Sequence, residues 1–234
     1  MIDFSELPLE ASIKEELCKL KIDFAFQPIY RRDGKTMFAY EALMRPADKH
    51  IVDLINEYEK SGKLHVLEVA TFFGALLAYE ERGLTDYVCI NSFPSECFTD
   101  HENEVFNEYF VETKKKGIVE ILEYPLSTEE NWRKKKSALD ERNVRFAIDD
   151  FGSGYNDMNA VNVFCPHIVK LDRSLISEIH LHKEKQETCA DFISHFKKKG
   201  MLVLAEGVET EEEYEFLLTM EVDLFQGYYF GRPV

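Results

Sequence analysis

The chain has 234 residues, and its hydrophobic content of 45% provides for a sizeable core and argues against disorder. A formal net charge of −16 argues against binding to a nucleic acid polymer, because such binding depends on Lys and Arg side chains that neutralise phosphates. No apolar run approaches the roughly 20 residues that span a bilayer, and the first residues do not resemble a signal peptide. The cysteines form no C-x-x-C pair. We therefore expect a cytoplasmic protein without membrane contact.

Short runs with strand character alternate with helical patterns along the chain. Several of these runs are continuously apolar, as in strands that are covered on both faces in a parallel sheet. The predicted strands cover residues 23–29, 37–43, 87–91, 118–122, 144–149, 168–171, 202–206 and 224–230.

Helical patterns fill the intervals between these strands. Residues 64–82 carry an apolar stripe of helical period. Ser127 with Glu130, and Thr210 with Glu213, have the spacing of capping boxes, in which each residue of the pair bonds the backbone of the other. Both pairs therefore predict the start of a helix.

The order of these elements predicts the fold. Strand and helix alternate after the first two strands without a linker, which predicts an α/β fold of the modified TIM (β/α)8 barrel type. Asp33-Gly34 between the first two strands is a hairpin signal, so the first strand should be antiparallel. We expect residues 23–234 to form the barrel domain, and residues 1–22 to add a helical segment, at 9–20, to the same domain.

Polar side chains stand at or near the ends of most predicted strands, where barrel enzymes place their active sites. Asp149 and Asp150 are the most informative, because adjacent ionised carboxylates repel one another by about 1 kcal/mol or more unless cations lie between them. This pair predicts a site for two divalent metals. Glu120 lies within an apolar strand and also requires a partner. The other residues of this kind are Glu41, Asn91, Lys170, Glu206 and Gln226.

Six motifs follow one another along the chain. They are Phe26-Gln27-Pro28-Ile29, Glu41-Ala42-Leu43, Asp149-Asp150-Phe151-Gly152-Ser153-Gly154-Tyr155, Lys170-Leu171-Asp172-Arg173, Ala205-Glu206-Gly207-Val208-Glu209-Thr210 and Gln226-Gly227-Tyr228-Tyr229-Phe230. In this order they resemble the EAL-domain family of cyclic di-GMP phosphodiesterases, here as a stand-alone EAL domain that fills nearly the whole chain. The resemblance implies hydrolysis of one phosphodiester bond of cyclic di-GMP to the linear dinucleotide pGpG.

Matched residue by residue, the resemblance implies a site for two metal ions, Mg²⁺ or Mn²⁺. One metal is expected to bind Glu41, Asn91, Glu120 and Asp149. The second metal is expected to bind Asp150 and to share Asp149 as a bridge. Hard oxygen ligands suit both ions, and paired metals can bind a phosphate while they generate a hydroxide.

The resemblance also assigns catalytic roles. Lys170 matches a lysine beside the attacking water, Glu206 matches a carboxylate close to the metals, and Gln226 is expected to support the water or Glu206. Burial and nearby metals are expected to lower the pKa of Lys170 toward that of a useful base. Asp172 is expected either to act directly or to serve as structural support.

Three residues match positions that lie against the nucleotide in this family. They are Gln27, Pro28 and Arg45, and the planar guanidinium of Arg45 suits a phosphate. The alternative for Gln27-Pro28 is a strand terminator.

Three positions depart from the family pattern. Leu122 stands in place of a threonine, Phe93 stands in place of a serine, and Ser153 replaces a threonine but keeps the hydroxyl. The resemblance implies that the loop containing Ser153 links the metal site to a homodimer interface, and that Glu123 holds this loop in place. We therefore expect an enzyme whose activity is reduced or regulated.

A cyclic di-GMP receptor without catalysis, or a protein-interaction regulator on the same fold, is the alternative function. Such members of the family usually lack metal ligands or the lysine, and all of these positions are filled here. A barrel enzyme that uses a divalent metal on an enolate fits the carboxylates but not the order of the motifs. Residues 1–22 are too few for a sensory domain. Regulation is therefore expected to come from a protein partner, from oligomerisation, from metal and substrate levels or from segments of a longer chain.

Overall fold

The computed structural model describes residues 1–124, 128–154 and 157–234. These residues form a closed barrel in which the strands follow one another in chain order. The strands are β1 (Ile22–Arg31), β2 (Met37–Pro46), β3 (Tyr87–Ser92), β4 (Gly117–Ile121), β5 (Arg145–Phe151), β6 (Ile168–Leu171), β7 (Leu202–Ala205) and β8 (Leu224–Gln226). The predicted α/β barrel is confirmed.

Helices cover the outside of the barrel. In chain order they are α1 (Ala11–Leu17), α2 (Ile51–Lys60), α3 (Leu64–Glu81), α4 (Asp100–Tyr109), α5 (Glu129–Glu141), α6 (Met158–Phe164), α7 (Arg173–Ile176), α8 (Lys183–Lys198) and α9 (Glu211–Thr219), with short 3₁₀ helices at Thr113–Lys116 and Ile179–Leu181. Across the described ranges, none of these helices combines the length and the apolar composition that a membrane crossing requires.

The predicted capping boxes have different outcomes. Thr210 and Glu213 form the predicted box at the start of α9, with each side chain bonded to the backbone of the other residue. Ser127 lies outside the described residues, and Thr128 caps α5 by accepting a hydrogen bond from the backbone N–H of Asn131. The residue that caps α5 in the structure therefore stands one position after the predicted capping residue.

The first strand is antiparallel to both of its neighbours, as the hairpin signal predicted. It pairs with β2 on one side and with β8 on the other, whereas all other neighbouring strands are parallel. The Asp33 carboxylate fixes the connecting turn by accepting hydrogen bonds from the backbone N–H groups of Lys35 and Thr36. Gly34 takes a φ of 63°, which a glycine adopts without strain.

The last strand is shorter than predicted, because it ends at Gln226 rather than at residue 230. The loop after β7 crosses here, and the backbone N–H of Val208 donates to the Gln226 carbonyl over 3.0 Å. A Cβ atom on Gly227 would lie 2.1 Å from the Val208 carbonyl oxygen, so only glycine fits this crossing. Beyond the strand, Phe230 packs edge-on against Tyr214, with ring centroids 5.1 Å apart.

Two kinds of core stabilise the barrel. An inner layer of apolar side chains fills the lower barrel and includes Ile29, Ala39, Cys89, Ile118, Ala147, Ile168, Leu204 and Leu224. Larger clusters lie between the strands and the helices, and the residues before the barrel join one of them through Phe4, Leu7 and Leu17, which pack in the same cluster as Phe73 of α3. The barrel interior is therefore closed below its mouth.

His65 at the start of α3 joins this helix to the segment around α4. Its Nε2 atom lies 3.0 Å from Oε1 of Glu102, and its Nδ1 atom lies 3.5 Å from Oε2 of Glu96. Hydrogen bonds to these carboxylates raise the pKa of His65 from 6.5 to about 10. The protonated imidazole therefore binds these acids in the folded protein at neutral pH.

This pKa shift predicts a loss of stability at alkaline pH. Because the folded pKa lies above the unfolded one, the contribution is complete below about pH 6.5 and is lost as the pH rises toward 10. We expect the melting temperature of the wild type to fall more steeply between pH 6 and pH 10 than that of His65→Gln. Melting curves recorded by circular dichroism check this, and parallel pH profiles for the two proteins would contradict it.

Candidate active site at the barrel mouth

A layer of polar side chains lies directly above the inner apolar layer. In each strand, or directly after it in the case of Glu206, the polar residue stands two positions from a member of the apolar layer, so the alternation of the strand directs both into the barrel. For β2 to β8 the polar residue follows the apolar one, and for the antiparallel β1 it precedes it. The polar layer consists of Gln27, Glu41, Asn91, Glu120, Asp149, Lys170, Glu206 and Gln226.

Lys170 is the centre of this layer. Its side chain is completely buried, and its Nζ atom lies 2.7 Å from Oδ1 of Asp149 and 2.7 Å from Oε1 of Glu206. Oε2 of Glu120 is 3.0 Å away, and Oε2 of Glu41 is 3.6 Å away. One ammonium group thus joins carboxylates from four different strands or strand ends.

The pKa of Lys170 differs from the sequence-based expectation. Burial alone lowers this pKa, but the attraction of the surrounding carboxylates, with Asp149 and Glu120 the strongest, outweighs burial and holds the pKa well above its usual range. The expected lowering depended on bound metals as well as burial, and without metal the carboxylates raise the pKa of Lys170 instead. The side chain is an ammonium that donates hydrogen bonds.

The carboxylates carry more negative charge than Lys170 neutralises. The pKa of Glu120 is raised to about 8 and that of Asp150 to about 7, mainly because both side chains are buried. Repulsion from neighbouring carboxylates adds to both shifts. Burial also raises the pKa of Glu206 well above its usual range. A cluster with this surplus of negative charge favours the binding of a divalent cation.

A bulge in β5 explains how adjacent aspartates reach the same site. In a regular strand successive side chains point to opposite faces. The pairing of β5 with β6 shifts between Ile148 and Phe151, and Asp150 takes a φ of 50°, which aspartate tolerates better than most residues. Oxygen atoms of Asp149, Asp150 and Glu206 consequently lie within 4.8 Å of one another.

A hydrogen-bond chain fixes the ligands on the other side of the layer. The Gln226 amide donates to Oε2 of Glu41 over 2.5 Å and to Oε1 of Gln27 over 3.3 Å. The Asn91 amide donates to Oε1 of Glu41 over 3.4 Å. Gln226 thus holds the Glu41 carboxylate, and its predicted support of the water or of Glu206 stays a prediction.

These residues fit a divalent metal such as Mg²⁺ or Mn²⁺. The buried Oδ1 atom of Asn91 has no hydrogen-bond partner among the residues that the structure describes, so it is available as a ligand. Carboxylate and amide oxygens are the ligands that these hard cations prefer. The polar layer therefore has the chemistry of a metal centre.

A cleft of about 280 Å³ opens beside the polar layer. Asp172 stands on its wall and caps α7 by accepting a hydrogen bond from the Ser174 N–H over 2.9 Å, which gives it a structural role. Arg173 donates to the Gly207 carbonyl and to Oε2 of Glu209. The cleft is lined by Gln27, Glu41, Asp150, Asp172, Arg173, Glu206, Gly207, Glu209, Gln226, Gly227 and Tyr228.

Sequence reasoning gave no site role to Arg173, Glu209 or Tyr228, although all three lay in quoted motifs. In the sequence all three lie within three positions of a residue of the polar layer. This proximity was the feature that could have predicted their place at the cleft. Two predicted substrate residues do not line this cleft. Pro28 is buried beneath Gly231, on the face of β1 opposite Gln27, and Arg45 is exposed four residues beyond Glu41 on β2.

The loop after β5 contacts the end of β4, as expected for Glu123. The Ser153 hydroxyl donates to Oε2 of Glu123 over 2.9 Å. A Cβ atom on Gly154 would lie 2.5 Å from Oε1 of Glu123, so the glycine permits the close approach. Tyr155, the last residue of the predicted motif, lies outside the described residues.

The two apolar departures from the family pattern lie in the layer outside the barrel. Phe93 is buried, and its ring packs edge-on against Tyr124 with centroids 5.4 Å apart. Leu122 packs against the same cluster, and its backbone N–H donates to the Ser92 carbonyl over 3.1 Å. Both substitutions therefore add apolar contacts behind the site without removing a polar side chain from the barrel interior.

The closed β/α barrel with a carboxylate-rich centre at its mouth places the protein among the TIM-type barrels. The model of the EAL domain family matches residues 10–233, and the chain therefore belongs to the EAL-domain family. This result confirms the resemblance carried by the six motifs.

Solved structures of this family share the fold. A stand-alone versatile EAL protein from Vibrio cholerae, solved with cyclic di-GMP bound, has a TM-score of 0.83 and 27% sequence identity over 92% of this chain and 93% of that chain. BlrP1 from Klebsiella pneumoniae, solved with manganese and cyclic di-GMP, has a TM-score of 0.79 and 26% identity over 92% of this chain and 56% of that chain.

Curated relatives include proteins named as phosphodiesterases. The cyclic di-GMP phosphodiesterase PdeL of Escherichia coli is 29% identical over 122 residues, which are 52% of this chain and 34% of that protein. The match to the signaling protein YkoW of Bacillus subtilis, 32% identical over 50% of this chain, covers 15% of that protein. The chain thus spans about a third or less of these curated relatives.

Removing the Lys170 charge tests the electrostatic description of the site. Lys170→Met leaves Glu41, Glu120, Asp149 and Glu206 without their shared cation, and loss of one partner from a buried ion pair costs about 3–5 kcal/mol. We expect the melting temperature in EDTA to fall by roughly 10 °C. We also expect added Mn²⁺ to stabilise the variant more than the wild type.

Scanning calorimetry with EDTA and with Mn²⁺ measures both effects. Lys197→Met is the matched control, because this lysine pairs with one aspartate, Asp223, and is 33% exposed. The control should lose less stability and gain nothing extra from Mn²⁺. Equal losses in the two variants would contradict the central role of Lys170.

Proposed function

We propose that the protein is a metal-dependent phosphodiesterase that hydrolyses cyclic di-GMP to linear pGpG. The observation that carries this proposal is the polar layer, in which carboxylates from β2, β4 and β5 and the carboxylate of Glu206 surround the buried Lys170. Membership of the EAL-domain family supports the choice of substrate, since members solved in complex contain cyclic di-GMP.

The proposed metal centre holds two ions, Mg²⁺ or Mn²⁺. Glu41, Asn91, Glu120 and Asp149 would hold one ion, and Asp149 and Asp150 would hold the other. The position of Glu206 within 4.8 Å of both aspartates supports a place for it beside the second ion. When bound, the metals supply positive charge for the phosphate and acidify a water molecule.

The proposed reaction forms a bond between a water oxygen and one phosphorus and breaks the bond from that phosphorus to a ribose 3′ oxygen. The water gives up one proton, and the 3′ oxygen gains one. The Lys170 ammonium, held at 2.7 Å by both Asp149 and Glu206, is placed to orient the water and to donate a hydrogen bond to it. Gln226 acts through Glu41, whose carboxylate it orients.

The substrate is proposed to bind across the cleft beside the polar layer. Gln27 lines this cleft, and its amide donates to the Gly231 carbonyl over 3.2 Å, which fixes its orientation. Arg45 stands on the part of the β1–β2 hairpin that continues past Glu41, so it is proposed to contact the substrate phosphate or base farthest from the metals. Pro28 pairs with Tyr40 within the β1–β2 ladder, and it is proposed to hold the neighbouring Gln27 in place for the substrate.

We also propose that the active form is a homodimer in the cytoplasm and that a regulatory protein partner controls it. The contact between Ser153 and Glu123 supports a loop that responds to events outside the barrel. Analytical ultracentrifugation with and without cyclic di-GMP tests the dimer.

Product analysis tests the proposed reaction. The purified protein should convert cyclic di-GMP to pGpG with Mg²⁺ or Mn²⁺ and should show no turnover in EDTA, as measured by liquid chromatography. Micromolar binding of cyclic di-GMP without any product would instead establish the receptor function.

Two substitutions separate metal binding from the later chemistry. Asp149→Asn removes the proposed bridging carboxylate, so metal-dependent turnover should fall below detection. Lys170→Ala should keep substrate binding, measured by isothermal titration calorimetry with Ca²⁺ present, but lose turnover by about 100-fold or more. Unchanged turnover in either variant would contradict the role assigned to that residue.

A further inference from the structure

Two ionised side chains outside the barrel are buried together, and the proposed reaction does not use them. Glu68 of α3 is 1% exposed and Lys135 of α5 is 4% exposed. Their Oε1 and Nζ atoms are 2.7 Å apart. Burying both charges costs about as much as their attraction returns, so such a pair is a weak source of stability and points to another role.

The pair holds the end of β3 from the outside. Oε1 of Glu68 accepts a hydrogen bond from the Ser92 hydroxyl over 2.7 Å, and Oε2 accepts one from the Phe93 N–H over 2.9 Å. Nζ of Lys135 donates to the Glu96 carbonyl over 2.5 Å. The last residue of the strand and the segment after it are thus fixed between two helices.

These contacts act directly behind a metal ligand of the proposed site. Ser92 follows Asn91, and successive strand residues point to opposite faces. When Glu68 holds the Ser92 side chain in the outer layer, the Asn91 side chain is turned into the barrel. The Asn91 backbone is in register with Glu120 of β4, so the same contact stabilises the strand pair that carries both ligands.

We propose that the Glu68–Lys135 pair positions Asn91 for metal binding, through the contacts of Glu68 with Ser92 and Phe93. This inference rests on the metal site of the proposed function. The carboxylate is needed because its two oxygens accept from both neighbouring residues. A glutamine has one acceptor oxygen, so either one of these donors is left unpaired or the Ser92 hydroxyl must turn round and accept a hydrogen bond from the amide NH2. Lys135 supplies the charge that permits a carboxylate at this buried position.

The double variant Glu68→Gln/Lys135→Met separates positioning from stability. It removes both charges together, so it leaves no unpaired buried ion, and its melting temperature should stay close to that of the wild type. Its Mn²⁺ affinity should be about 10–100-fold weaker, the usual effect of losing a residue that orients a metal ligand. Electron paramagnetic resonance of free Mn²⁺ measures this affinity without reference to catalysis.

A matched pair at the opposite end of the barrel provides the control. Asp223 accepts a hydrogen bond from the Val203 N–H of β7 over 2.9 Å and pairs with Lys197 over 2.5 Å. The variant Lys197→Met/Asp223→Asn should therefore keep wild-type Mn²⁺ affinity. Ser92→Ala, which deletes only a hydroxyl, should fold and weaken Mn²⁺ binding several-fold even if the double variant does not fold.

An Asn91→Ala background shows whether the effect passes through Asn91. In this background the Glu68→Gln/Lys135→Met change should cause no further loss of Mn²⁺ affinity. Wild-type Mn²⁺ affinity in both Ser92→Ala and the double variant, or an equal loss in both backgrounds, would overturn the proposal. A wild type that binds Mn²⁺ but leaves cyclic di-GMP intact would overturn the proposed function alone. Absence of Mn²⁺ binding by the wild type would overturn both.

Discussion

The attraction between Lys170 and the carboxylates around it is the constraint on which the structure of the site depends. Carboxylates at this depth are costly unless a cation compensates them. Lys170 has no exposed surface and lies within 3.6 Å of four of them, so it allows acids from several strands to share one small volume. The same ammonium is surrounded by ligands that suit hard metal ions, and the barrel can therefore fold around the site before a metal enters.

Regular strand geometry places these groups at one level. Because each polar side chain stands two residues from the inner apolar layer, the barrel needs no irregular backbone to assemble most of the site. The apolar layer below excludes water from one side, and the cleft above leaves the other side open. Any ligand of the polar layer must consequently approach from the mouth.

Much of the fold and of the polar layer was predictable from the sequence, because both follow from short-range patterns. Apolar runs identified the strands, Asp33-Gly34 identified the antiparallel hairpin, and the motif order identified the family. The pattern could not show contacts between distant residues. Gln226 orients Glu41, 185 positions away, and Lys135 binds Glu68, 67 positions away.

Two further differences between the sequence-based expectations and the structure have local physical causes. The aromatic run after Gln226 suggested a longer strand, but the loop at Val208 crosses there and allows only Gly227. The pKa of Lys170 was expected to fall because of burial and bound metals, whereas in the metal-free protein the neighbouring carboxylates outweigh burial and raise it. In both cases the residues that determine the outcome belong to another strand or to the loop after it. The periodic pattern of apolar residues in the sequence does not reveal such contacts.

The bulge in β5 has a consequence for how such a site can arise. Ile148 packs outside the barrel, Asp149 points inward, and Phe151 again packs outside. If Asp150 is left out, these side chains alternate between the two faces as they do in a regular strand. Asp150 is therefore an insertion into an otherwise undisturbed alternation. In evolutionary terms, gain or loss of a single codon adds or removes one carboxylate at this strand end while every core residue of β5 keeps its place.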